Sequence, residues 1–153
     1  MKGRAAGITR FVFDKDRPSE LNYYGIGPTP MFACQFDLRF SYCLYVPERY
    51  VEEQDRVWPL AVIVHGTDRP AQGYRDAFAD WADANDCIVL APLFPAGITE
   101  PWELNSYKFI KAGDLRYDDV LLAMVDEVAT AYNVNGDRFL IHGFSGGGHF
   151  AHR

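Results

Sequence analysis

From Arg39 to Val46 apolar and polar positions alternate: Phe40, Tyr42, Leu44 and Val46 fall on one face, and Ser41, Cys43 and Tyr45 on the other. A period of two predicts a β-strand, and Pro47 ends it. Leu60-Ala61-Val62-Ile63-Val64 is instead a continuous apolar run, the pattern of a strand covered on both faces. Two further runs read the same way. Cys87 to Ala91 is stopped by Pro92 and Pro95, and Arg138 to His142 leads straight into Gly143. A short first strand is predicted over residues 8–14, a turn-rich stretch over 15–37, and a solvated charged segment over 48–56.

Between these runs the period changes. Tyr74, Ala77, Phe78, Trp81 and Ala84 recur at helical spacing and predict one helix over 74–84. Leu121, Met124, Val125, Val128, Ala131 and Tyr132 form the stripe of a second helix. Asp114 or a near neighbour caps it, Asp118 and Asp119 suit its first turn, and Asn133 and Gly136 end it. Strand, helix, strand, helix, strand from residue 60 predicts a parallel sheet with helices on both faces, the earlier strands adding an antiparallel edge.

Composition narrows the class. The 153 residues give room for one domain, 48% of them are hydrophobic, and the net charge is −6. That charge argues against a nucleic-acid partner. Cys34, Cys43 and Cys87 are odd in number and widely spaced, so neither a disulfide framework nor a zinc site is expected. Cys43 and Cys87 sit in apolar runs as buried thiols. No signal-peptide pattern and no membrane-length apolar run occurs, so the default location is cytoplasmic.

The chemistry concentrates at Gly143-Phe144-Ser145-Gly146-Gly147, a G-x-S-x-G pattern between an apolar strand and a helix start. A serine at such a turn holds a strained backbone and an exposed hydroxyl. Glycines on either side let neighbouring segments approach. The N–H of Gly146 follows the serine and suits an oxyanion. A second donor is expected from the loop after an earlier strand, His65-Gly66-Thr67-Asp68, with the N–H of Thr67 as candidate and Asp68 as the near alternative.

These pieces resemble an α/β-hydrolase of the esterase and polyhydroxybutyrate-depolymerase-like kind, in its N-terminal portion only. The resemblance is carried by Leu44-Tyr45-Val46-Pro47, Pro59 to Gly66, Asp80-Trp81-Ala82-Asp83, Val89-Leu90-Ala91-Pro92 and Trp102. It continues through Asp118-Asp119-Val120, Tyr132-Asn133-Val134, Arg138 and Gly143 to Gly148. It implies an α/β-hydrolase fold, mostly parallel, over 1–153 as a single incomplete domain truncated after the nucleophile turn, with 1–38 an unplaced extension or edge strand. It further implies a serine hydrolase acting on small carboxylic esters through an acyl-Ser145 intermediate, without cofactor or metal.

The departure is equally plain. In that fold an acid and then a histidine follow the serine, yet eight residues follow Ser145. The chain alone is therefore expected to be inactive, its alternatives being a non-catalytic binding module or an inactive truncated fragment. The last strand is expected as an unpaired apolar edge open to self-association. His149 and His152 are candidate substitute bases, set against an ordinary role on the helix; as a metal pair they lack a third ligand. His65 is expected to shape its loop by hydrogen bonding, and His142 to pack. Asp118 and Asp119 as triad acid are set against capping, which fits a helix start better. Trp102, Tyr107 and Phe109 are candidates for an acyl or alcohol pocket, against loop packing. The glycines do not give G-x-G-x-x-G, so a nucleotide-binding turn is the weaker reading.

Overall fold

The computed structural model describes residues 5, 7–17 and 19–153. In chain order the elements are α1 (Glu20–Tyr24), β1 (Gly27–Pro28), β2 (Phe32–Ala33), β3 (Ser41–Val46) and a 3-10 turn at Glu48–Val51. Then come β4 (Leu60–Val64), α2 (Ala71–Ala77), α3 (Ala79–Asn85), β5 (Ile88–Leu93) and a second 3-10 turn at Ser106–Phe109. The chain continues through β6 (Lys111–Ala112), β7 (Leu115–Arg116), α4 (Tyr117–Ala131), β8 (Leu140–Gly143) and α5 (Gly146–Ala151). The main sheet has the order β1-β3-β5-β4-β8, with β2 also on β3. β5, β4 and β8 run parallel, and β3 joins β5 antiparallel, so the earlier strands form the expected antiparallel edge.

Helix α4 covers one face. Its predicted stripe is buried throughout, against Phe40, Tyr42, Leu44 and Val46 of the alternating segment and Leu60, Val62 and Val64 of β4. Each fully buried side chain of this size contributes roughly 1.5–3 kcal/mol. The other face holds a smaller cluster of Ala61, Ile63, Ala82, Cys87 and Val89, with Tyr45, Tyr74 and Phe78 packed on it. All three cysteines are buried and unpaired. Glu127 of α4, also buried, accepts from the Gln35 N–H at 2.6 Å and the Tyr42 hydroxyl at 2.9 Å, which fastens the early segment to the helix.

Several local expectations are corrected. Residues 8–14 form no strand: the Phe11 N–H donates to the Ala131 carbonyl, and the Gln54 side chain serves both the N–H and the carbonyl of Phe13. At Phe11 and Phe13 a helix end and one amide thus take the place of ladder partners. The turn-rich stretch contains α1, capped by Ser19. Tyr50, within the charged segment, is fully buried. The single helix over 74–84 is two helices meeting at Phe78 (φ −96°, ψ 2°). That bend sets Tyr74, Phe78 and Ala82 on the sheet and leaves Ala77, Trp81 and Ala84 exposed.

Pro92 does not stop β5 but lies inside it, opposite Tyr42. The pairing with β4 has ended at Leu90, so no neighbour on that side needs its missing N–H. Asp114 does not cap α4: it sits in the turn of the β6–β7 hairpin, and Arg116 occupies the cap position without a side-chain bond. Asp118 and Asp119 are in the first turn as predicted, with Asp118 paired to Arg116 at 2.6 Å. The third central strand is not buried. Among the described residues β8 pairs only with β4, and Leu140 and Ile141 are 59% and 40% exposed.

Candidate active site

β4 and β8 are parallel neighbours, with Val64 opposite Gly143. Their following loops, 65–69 and 144–145, therefore leave the sheet side by side. Gly66 is where they meet. A Cβ placed on it would lie 3.6 Å from Ser145 Cβ and 3.5 Å from the Phe144 carbonyl.

Ser145 joins β8 to α5 at φ 54°, ψ −117°. A residue with a Cβ populates this region rarely, at a cost of order 1–3 kcal/mol. The surrounding glycines make the turn sterically feasible. A Cβ on Gly143 would collide with the Gly147 carbonyl, and one on Gly147 with the Val64 carbonyl. One on Gly146 would collide with the Tyr107 hydroxyl. The turn is thus packed against β4 from one side and Tyr107 from the other. Ser145 itself is exposed. Gly146 is buried at the first position of α5, where helices leave their N–H groups unpaired.

The loop after β4 is built differently, from side-chain hydrogen bonds. His65 is fully buried. Its Nε2 accepts from the Phe94 N–H at 3.0 Å, so the proton resides on Nδ1, which donates to the Gly66 carbonyl at 2.8 Å. Burial pushes its pKa down to about 4, so the ring is neutral at pH 7. This matches the loop-shaping role expected of it.

Arg69, which the sequence reading did not single out, adopts φ 60°. Its Nε donates to the Phe94 carbonyl at 2.8 Å, Nη2 to the Leu104 carbonyl at 2.8 Å, and Nη1 to the Thr67 carbonyl. The guanidinium also lies 5.0 Å from the Tyr107 ring centroid, over its face. No motif marks it; an arginine two positions past a loop threonine reads as a surface charge.

Tyr107 is buried against His65 and Phe94, and its hydroxyl donates to the His65 carbonyl at 3.2 Å. It therefore backs the loop and does not line an open pocket. Trp102 is 91% exposed, and Phe109 is stacked under Arg153. His142 does not pack as expected: it is exposed on β8, beside Phe78 with ring centroids 5.5 Å apart. His149, His152, Gly148 and Arg153 share with Ser145 a shallow cavity of about 340 Å³. Among the described residues no side chain hydrogen-bonds to the Ser145 hydroxyl, and no three His, Cys, Asp or Glu gather as metal ligands. No described helix is long and apolar enough to cross a membrane.

No family model and no curated protein matches the chain by sequence. Solved structures do match by shape. Poly(aspartic acid) hydrolase-1 from Sphingomonas sp. KT-1 is similar at 26% identity and TM-score 0.58, over 74% of this chain and 44% of its own. The poly(3-hydroxybutyrate) depolymerase from Bordetella parapertussis is similar at 21% identity and TM-score 0.66, over 83% of this chain and 46% of its own. An S-formylglutathione hydrolase from Agrobacterium tumefaciens is similar at 17% identity and TM-score 0.58, over 73% and 46%. The chain spans less than half the length of these structures. Sheet order, the strand–turn–helix at Ser145 and these likenesses together show that the chain has the α/β-hydrolase fold, in its N-terminal portion.

Proposed function

We propose that this chain is the nucleophile-bearing part of a serine hydrolase acting on small carboxylic esters. The observation that carries the reading is the backbone of Ser145 at φ 54°, ψ −117° between β8 and α5. Strain of this kind persists where the surroundings over-determine it, and here it holds a hydroxyl out of the sheet. Ser145 Oγ attacks the ester carbonyl carbon and gives its proton to a base. The alcohol leaves, and water then releases the acid from the acyl-serine. The N–H groups of Gly146 and Thr67 are the donors to the oxyanion. The named hydrolases of like fold support the reaction class.

The acid and histidine of a triad are not supplied by the described residues in contact with Ser145, so we read the chain alone as inactive, in one incomplete domain over 1–153. The unpaired β8 edge, with Leu140 and Ile141 outward, offers a surface for self-association. Three buried, unpaired cysteines suit a reducing compartment, and we take the location to be the cytoplasm.

Labelling with a fluorophosphonate, with Ser145→Ala as control, tests the reading. Labelling lost in the variant marks an activated serine, its base coming from His149, His152 or a second chain. A folded protein that takes no label has a nucleophile turn without its triad, and the function then belongs to a longer parent or to the second reading, a non-catalytic binding module.

A further inference from the structure

Two successive peptide planes in the loop after β4 are fixed by named donors. The Gly66 carbonyl accepts from His65 Nδ1–H at 2.8 Å and from the Arg69 N–H at 3.1 Å. No peptide bond among the described residues is cis. In a planar trans peptide the N–H points opposite to the carbonyl, so fixing the Gly66 oxygen fixes the direction of the Thr67 N–H. The next carbonyl, that of Thr67, is held by the Arg69 side chain. That guanidinium is itself oriented by the Phe94 and Leu104 carbonyls and by the face of Tyr107. Thr67 therefore has the planes on both sides of its Cα anchored, and Arg69 takes part in both.

We propose that Arg69 is a positioning residue of the oxyanion loop. Through its backbone N–H and its three-carbonyl side-chain clamp it holds the Thr67 N–H in the direction needed to receive negative charge developing beside Ser145. The proposal rests on the reading of Ser145 as nucleophile for its catalytic consequence, but the clamp itself is a property of the loop. Lysine cannot replace it. An ammonium is a single point of donation, whereas the guanidinium presents a planar fork that here reaches carbonyls in three separate segments.

The test uses the full chain as wild type, Arg69→Lys and Arg69→Met, with core amide signals confirming that each is folded. Two sets of measurements are made on each: the amide resonance and hydrogen exchange of Thr67 with the ring nitrogens of His65, and the fluorophosphonate kinetics separated into saturation constant and maximal rate. In Arg69→Met the Thr67 amide should shift and exchange at least about tenfold faster while the β4 and β5 amides stay unchanged. Where wild type labels, the maximal labelling rate should fall about 100-fold, the loss expected for one misplaced oxyanion donor, with the saturation constant unchanged. Arg69→Lys should fall between the two, and it carries the test if the methionine variant does not fold. A folded variant whose Thr67 amide and His65 ring signals match wild type overturns the proposal, as does an unchanged maximal rate where wild type labels. A wild type that takes no label agrees with the inactivity of the chain alone, and the Thr67 and His65 signals then decide the clamp.

Discussion

The turn at Ser145 and the loop at Thr67 flank one point at the end of two parallel strands, yet they are held by opposite means. The turn is shaped by missing side chains: Gly143, Gly146 and Gly147 each sit where a Cβ would strike a backbone or hydroxyl oxygen. The loop is shaped by side chains that are present, His65 and Arg69, each spanning to Phe94. Close packing by glycine is rigid and intolerant of any added atom. A clamp of hydrogen bonds tolerates volume changes but depends on protonation and donor count. The two sides of the site should therefore fail under different insults.

The sharpest contrast is steric. Gly147→Ala forces a methyl against the Val64 carbonyl and to 2.7 Å from the His65 carbonyl, both backbone atoms unable to rotate away. It should destabilise the protein by about 3 kcal/mol or more, the upper end of overpacking costs. Urea unfolding measures this, and a loss below about 1 kcal/mol would mean that β4 and α5 are not locked together as described.

The loop should answer to pH instead. His65 folds as a neutral ring with its pKa pushed down to about 4, from 6.5. Between those values the unfolded chain binds a proton that the folded one does not, so stability is full above pH 6.5 and falls as the pH drops towards 4. The loss is on the order of 3 kcal/mol. Unfolding free energies across this window, compared with His65→Gln, check it; parallel curves for the two proteins would remove His65 as the cause.

Smaller effects separate function from stability. Ser145→Gly relieves the positive φ at the turn and should raise stability by about 1 kcal/mol while abolishing labelling. A decrease in melting temperature in this variant would mean that Ser145 is not strained. Leu140→Lys, on the exposed β8 edge, should change stability by less than about 0.5 kcal/mol. It should also lower any concentration-dependent association in sedimentation; unaltered association would place the contact elsewhere.

The same contrast explains what could be read from the sequence. Glycine and apolar runs leave marks at fixed spacing, so β3, β4, β5, the α4 stripe and the turn around Ser145 were legible. The loop's clamp was not, because Arg69 meets Phe94 and Leu104 only once the chain has folded. Residues 8–14 misled for a related reason: the segment reads as a short strand, but Gln54 and the end of α4 bind its backbone at Phe11 and Phe13 from a distance. The exposure of β8 was legible only in part. Its apolar run and its edge position are readable, but such a run implies burial, whereas Leu140 and Ile141 face solvent.

Arg69 also ties together parts of the molecule that a designer would wish to vary separately. Leu104 belongs to the long segment between β5 and β6. Its carbonyl is one of the three that orient the guanidinium. Lengthening or shortening that segment would pull on the same group that aims the Thr67 N–H. The two segments are mechanically geared through one side chain, and a library that randomises residues 96–105 while keeping the Leu104 carbonyl in place should retain far more members with an ordered Thr67 loop than one that does not.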